Sequence, residues 1–305
     1  MLERMQSAIL GGLYGLAIGD ALGGVVEYWT KEEIEAKYGV LRSYQTMPDR
    51  KAGEGSDDTR LALEVGWGIM QNSERPVNAI GQRFLQWYKK GPKGIGQITE
   101  CVLTLYAETN HWELAAQKAQ EQLGRPSLGN GALMRTLVIS YAYYQNKERM
   151  YERARQVTRM THNDPRAEWA SQFYNGMVRE LILQDPKTAY VNTWQDLADK
   201  PGQLDIPREY EDLKMLSPIP RGTVIDSLLT SLHALATTQD AAAALYKAVN
   251  LGGDSDTIGA LTGGLAGTYY GKQAWPLELV SNLQLKIEVE RVAAGMTAYA
   301  MVPWP

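Results

Sequence analysis

Gly259-Ala260-Leu261-Thr262-Gly263-Gly264-Leu265-Ala266-Gly267 is a run of small residues with nothing larger than leucine in it. A second run of similar kind lies near the N-terminus, Gly11-Gly12-Leu13-Tyr14-Gly15-Leu16-Ala17-Ile18-Gly19. Glycine inside a helix costs ~1 kcal/mol relative to alanine, so this many glycines imply that another backbone approaches closely. The two runs are read as a central helix pair with little side-chain spacing. Elsewhere Leu61, Val65, Ile69 and Met70 fit one helical face, and Leu181, Leu183, Leu228, Leu229, Leu232 and Leu235 recur at three- and four-residue intervals. Period-two alternation is rare, and no long β-branched run is bounded by hairpin turns. The expected fold is all-α, with about a dozen helices in one compact domain spanning residues 1–305.

Punctuation falls between the helical stretches, at Gly91-Pro92-Lys93-Gly94 and at Pro201-Gly202. The segment from Asp199 to Arg221 is the least periodic, with prolines at 201, 207, 218 and 220, and is expected to be a surface excursion or a lid. The net charge of -4 comes without a basic block, so the concentrated positive surface that nucleic acid requires is missing. Cys101 is the only cysteine, which rules out an intramolecular disulfide and suggests a reducing, cytoplasmic setting. Ala8 to Val26 carries one charge, Asp20, and follows both Glu3 and Arg4. That pattern fits neither a secretory signal nor a membrane span, and a buried glycine-rich helix is expected instead.

Each small-residue run adjoins acids: Asp20 and Glu27 follow the first, and Asp254 and Asp256 precede the second. Two clusters share a plan of glycine, two carboxylates, a threonine and then a helix. They are Gly55-Ser56-Asp57-Asp58-Thr59 and Gly252-Gly253-Asp254-Ser255-Asp256-Thr257. Capping explains part of this, because Ser, Asp and Thr suit a helix N-terminus. One Asp caps a helix adequately, whereas adjacent carboxylates repel. The same surplus twice in one chain calls for a cation. Carboxylate and hydroxyl oxygens select hard ions such as Mg²⁺, Mn²⁺ or Ca²⁺, and four or five carboxylates suit two ions better than one.

In Gly129-Asn130-Gly131-Ala132-Leu133-Met134-Arg135, Asn130 is a good N-cap, and a helix beginning there would offer bare N–H groups to a phosphate. A plain loop-to-helix junction would look the same. Thr161-His162 precedes another helical stretch, and a lone histidine is more often a structural hydrogen-bonder than a ligand. His111 and His233 have no acidic or cysteine neighbours and receive no role.

Taken together, Gly19-Asp20-Ala21-Leu22-Gly23 with Glu27, Ser56-Asp57-Asp58-Thr59, the Gly129–Arg135 motif, Thr161-His162 and Gly252–Thr257 resemble the ADP-ribosylglycohydrolase family, of the type that includes the dinitrogenase-reductase-activating glycohydrolase. The likeness runs from Gly11 to about Gly271, with the motifs in family order. It implies an orthogonal helical fold with a dinuclear Mg²⁺ or Mn²⁺ centre in a cleft. Ser56, Asp57, Asp58, Asp254, Asp256 and Thr257 match the metal ligands. Glu27 matches a glutamate near the metals and the scissile bond. Asn130, Gly131 and His162 match positions near the diphosphate of ADP-ribose. Ser56 departs from the threonine frequent in the family but keeps the hydroxyl.

The reaction so implied is hydrolysis of the glycosidic bond between ADP-ribose and an acceptor, most often arginine on a protein, with serine or a small molecule as other acceptors. Glu27, Asp58 and Asp256 are the candidate catalytic residues, the first two for proton transfer. Two other readings stand beside it. One is an ADP-ribose-binding or crystallin-like relative without turnover. The other is an all-α Mg²⁺-dependent nucleotide phosphohydrolase, which would release phosphate or nucleoside monophosphate rather than intact ADP-ribose.

Overall fold

The glycines bring the two small-residue runs into direct backbone contact. The computed structural model describes residues 1–302 apart from 49 and 93, so Lys93 of the Gly91–Gly94 loop lies outside the described residues, as do 303–305. Among the described residues there are fifteen α-helices and no strand beyond isolated bridges. They begin with α1 (Leu2–Gly23), α2 (Lys31–Tyr38), α3 (Asp57–Gln71), α4 (Pro76–Tyr88) and α5 (Gln97–Thr109). Next come α6 (Trp112–Leu123), α7 (Leu137–Ala142), α8 (Lys147–Arg159), α9 (Pro165–Leu181) and α10 (Pro186–Leu197). The last five are α11 (Val224–Ala236), α12 (Ala241–Val249), α13 (Ser255–Tyr270), α14 (Leu277–Ser281) and α15 (Lys286–Met301). The all-α expectation holds.

Helices α1 and α13 run antiparallel, with Gly11 against Gly267, Gly15 against Gly263 and Gly19 against Gly259. A Cβ on Gly15 would sit 2.0 Å from the Gly263 carbonyl oxygen, and one on Gly263 would sit 2.0 Å from that of Gly15. Any other residue would force the backbones apart. The glycines recur every fourth position, so they share one face of each helix. The Ser255 hydroxyl donates to the Gly23 carbonyl (2.8 Å) and fixes the register at one end of the pair. At the other end Arg4 donates to the carbonyls of Leu181, Ile182, Thr268 and Tyr269, satisfying the C-termini of α9 and α13 together.

Most of α1 and α13 is buried, and an apolar core extends from them through α3, α7, α9, α11 and α15. The antiparallel register lays the C-terminal end of α1, with Asp20, beside the N-terminal end of α13, with Asp254 and Asp256. The excursion at 199–221 is fastened rather than free. Leu204, Ile206, Tyr210 and Leu213 are buried, and the Pro220 carbonyl accepts the Asp254 N–H (2.9 Å). Among the described residues, no helix is long and apolar enough to cross a membrane.

Candidate functional site

Helix α3 begins where α1 ends, and Asp20 joins them. Its carboxylate accepts the N–H of Ser56 (2.7 Å), the N–H of Thr59 (2.9 Å) and the hydroxyl of Thr59 (2.5 Å). The first turn of α3 is thus capped from another helix as well as by Ser56, whose Oγ accepts the Asp58 N–H (3.3 Å) and donates to Asp58 Oδ2 (3.1 Å). Asp58 Oδ1 is buried and has no protein partner.

The start of α13 is built differently. Asp254 holds the N-cap position but makes no cap bond with its side chain. Its carboxylate instead accepts from Asn130 Nδ2, which also donates to Ser227 Oγ (2.8 Å). Gly252 and Gly253 precede it at φ +74° and +63°, and a Cβ on Gly253 would lie 2.0 Å from the Pro220 carbonyl oxygen. The same loop is laced to the chain after Glu27. The Tyr28 N–H donates to the Gly253 carbonyl (2.7 Å), and the Gly253 N–H donates to the Trp29 carbonyl (2.8 Å). This lacing places Glu27 with Asp254 and Asp256, where ligating oxygens of all three lie within 4.8 Å of one another. Asp57, Asp58 and Thr257 line the same cleft, of ≈ 1300 Å³, as do Ser56, Asn130, Gly131 and His162. The structure therefore gathers every predicted site residue at one cleft. It groups Glu27 with Asp254 and Asp256, two of the acids read as ligands.

The crowding shows in the proton affinities. Burial first, and then the charge of Asp20, pushes the Asp57 carboxyl up to about 7. Burial and Glu27 push Asp254 up to about 6, against the opposing hydrogen bond from Asn130. Asp58 is raised well above the usual carboxylate range by burial and by Asp256, and Asp256 by burial and by Glu27. Bare carboxylates this close repel one another, and protons or metal ions relieve the repulsion. The donor set is all oxygen and Asp58 Oδ1 is an orphan, so these residues fit hard divalent cations.

One sequence expectation fails here. No helix begins at Asn130, since residues 130–135 form turns and α7 starts only at Leu137. Tertiary pairing wins over the capping signal. The Asn130 N–H donates to the Gly222 carbonyl (3.2 Å), the Val224 N–H donates to the Leu128 carbonyl (2.9 Å), and the Asn130 amide is spent on Ser227 and Asp254. The flanking glycines also disfavour helix. A phosphate here would meet no helix macrodipole. Beneath this turn lies His162, fully buried, with Nε2 3.5 Å from the Cβ position of Gly129 and Cε1 3.5 Å from that of Gly131.

Tyr28 escaped the sequence reading, and Arg135 entered it only as the last residue of the Gly129–Arg135 motif, with no role of its own. Tyr28 is a bulky residue at φ +66°, 81% exposed on the cleft wall, and hydrogen bonding to Glu27 holds its phenol well above the ordinary value. Arg135 is a fully buried cation 5.0 Å from the Phe84 ring centroid. Burial lowers it to about 9, with the charge of Asp57 opposing the shift.

An all-α scaffold whose glycine-packed helix pair delivers carboxylates to a cleft suited to hard cations defines a narrow class. The family model for ADP-ribosylglycohydrolase matches residues 1–303, and the chain belongs to that family. It is 29% identical over 290 residues to the ADP-ribosyl-[dinitrogen reductase] glycohydrolase of Rhodospirillum rubrum, covering 92% of each protein. It is 24% identical to the ADP-ribosylarginine hydrolase Tri1 of Serratia proteamaculans, covering 93% of this chain and 76% of that one. A solved structure described as an ADP-ribosylglycohydrolase-related protein complex superposes with a TM-score of 0.81 at 30% identity, covering 98% of this chain and all of its counterpart.

Proposed function

We propose that this chain is a divalent-cation-dependent hydrolase that cleaves the bond between ADP-ribose and an arginine side chain of a protein, releasing ADP-ribose. The observation that carries the reading is the meeting of Glu27, Asp254 and Asp256 within 4.8 Å, in the cleft that Asp57 and Asp58 also line. The two relatives named for arginine and dinitrogen-reductase substrates support the acceptor. Ser56, Asp57, Asp58, Asp254, Asp256 and Thr257 would hold two Mg²⁺ or Mn²⁺ ions. When bound, such ions supply positive charge that fixes and polarises the hydroxyls of the reacting ribose.

The chain's own groups do the rest. Glu27 takes the proton of the attacking water, and the Tyr28 hydroxyl steadies its carboxylate. The water oxygen bonds to the anomeric carbon, the bond from that carbon to the guanidinium nitrogen breaks, and the leaving nitrogen is protonated. Asp58 is the second group for proton transfer and serves the leaving nitrogen, with Asp256 beside it. Asn130 holds Asp254 in place, and the Gly129–Gly131 turn with His162 faces the diphosphate.

The test uses an arginine-ADP-ribosylated protein with Mg²⁺ and with Mg²⁺ chelated, measuring free ADP-ribose by chromatography. Mg²⁺-dependent release is expected. Release that ignores chelation would sink the cation requirement, and nucleoside monophosphate in place of ADP-ribose would sink the reaction class.

A further inference from the structure

Arg135, Thr161 and His162 form a chain of hydrogen bonds behind the cleft wall. Arg135 Nη2 donates to Thr161 Oγ1 (2.7 Å) and to the Val157 carbonyl (3.0 Å). Thr161 Oγ1 lies 2.7 Å from His162 Nδ1. Both Arg135 and Thr161 are fully buried, so water does not compete for these bonds. A guanidinium only donates, so the Thr161 oxygen spends a lone pair on Arg135 and keeps its hydrogen to give. The ring nitrogen beside it is the acceptor within reach. Accepting there leaves Nδ1 bare, and a neutral imidazole must then carry its proton on Nε2. Nε2 is buried with no protein partner, below Gly129 and Gly131 on the cleft wall. An unpaired buried N–H is costly, and a ligand oxygen would remove that cost.

We infer that Arg135 and Thr161 are positioning residues that lock His162 in its Nε2–H tautomer, so that the ring presents a fixed donor to an anionic oxygen of the substrate. The ligand half of this inference rests on the function proposed above, whereas the tautomer half does not. The ring stays neutral because burial, and then the nearby Arg135 charge, push the imidazole down to about 3. His162 is therefore a directional dipole, which the absent helix at Asn130 cannot supply.

The chain has three histidines, which makes the tautomer measurable by ¹⁵N NMR on histidine-labelled protein. His233 is an internal control of the opposite kind. Its Nδ1 lies 2.8 Å from the Leu213 carbonyl oxygen, an acceptor only, so its proton sits on Nδ1. His111→Gln removes the third signal. The His162 resonances should show the Nε2–H pattern in the full-length protein. Thr161→Val, which keeps the shape and deletes the hydroxyl, should turn that pattern into a mixture, and Thr161→Ser should restore it. Arg135→Ala leaves a hole in the core and is not needed for the test. Free ADP-ribose is the binding probe, titrated calorimetrically in Mg²⁺. Its Kd should rise about tenfold in Thr161→Val and return to within about twofold of the wild-type value in Thr161→Ser, as expected for one hydrogen bond to a charged group.

An Nδ1–H pattern for His162, or an unchanged pattern in Thr161→Val, overturns the relay. Equal ADP-ribose affinity in both proteins overturns the ligand half. Failure of the wild-type protein to bind ADP-ribose at all overturns the ligand half and the proposed function, while the NMR result still decides the relay.

Discussion

The two acidic helix starts read alike in sequence and differ in the fold. The start of α3 is closed, with Ser56 and Asp20 satisfying its first N–H groups before any ligand arrives. The start of α13 is open, with Asp254 making no cap bond and turned toward Asn130 and Glu27. The lesson is that the first motif is anchored from another helix, whereas the second closes only the Thr257 N–H, through Asp256, and leaves the Asp254 carboxylate to the cleft. If so, the α13 side depends more heavily on the cation than the α3 side does.

The largest effect should come from the open side. Asp254→Ala is expected to lower ADP-ribose release by at least ~100-fold, at the upper end of what losing a group that merely supports a metal ligand costs. Circular dichroism should show an intact fold. Near-normal turnover at limiting Mg²⁺ would break the comparison. Next comes the glycine contact that holds the two starts together. Gly15→Ala drives a Cβ into the Gly263 carbonyl and should cost about 3 kcal/mol, or roughly 5 °C in Tm for a chain of 305 residues. Gly96→Ala, with open space around it, should cost only the weaker N-cap of α5, about 1 kcal/mol. Equal effects would show that close backbone approach is not what these glycines serve.

On the closed side, Asp20→Ala removes three bonds at the start of α3 and should cost about 2 kcal/mol by urea unfolding. No loss there would mean that Ser56 alone closes the helix. The last effect is a pH dependence with a definite sign. Asp57 and Asp254 are raised to about 7 and about 6, so the native chain keeps protons that the unfolded chain releases near pH ~4. Chelated protein should lose stability as pH rises from ~4 to ~7, and saturating Mg²⁺ should flatten that slope. A chelated Tm that climbs through this window would contradict the crowding of the acids.

The sequence made the helices, the glycine pair and both acidic motifs legible, because each is written in local spacing. Its failures are all tertiary. Asp20 caps a helix 36 residues further on, and nothing in its neighbours announces that. The lacing of Tyr28 and Trp29 to Gly253, which carries Glu27 to Asp254 and Asp256, is silent in the sequence even though the resemblance puts Glu27 near the metals. Asn130 carries a capping signal, yet its N–H goes to the Gly222 carbonyl and its own carbonyl closes only a single turn with the Met134 N–H, so no helix forms. Tyr28 gave no sign of its positive φ, since that conformation is imposed by a loop more than two hundred residues away.

The pairing of α1 with α13 also sets a schedule for synthesis. Helix α1 leaves the ribosome first, and its partner follows about 250 residues later, which takes ~12–50 s at typical translation speeds. During that interval the glycine face of α1 has nothing to rest on and Asp20 has no neighbouring acids across the groove. The acidic cleft is thus assembled at a late moment, from segments far apart in the sequence. A chain that stops before residue 254 carries Glu27, Asp57 and Asp58 but neither Asp254 nor Asp256, and it lacks the Gly252–Gly253 loop to which the chain after Glu27 is laced.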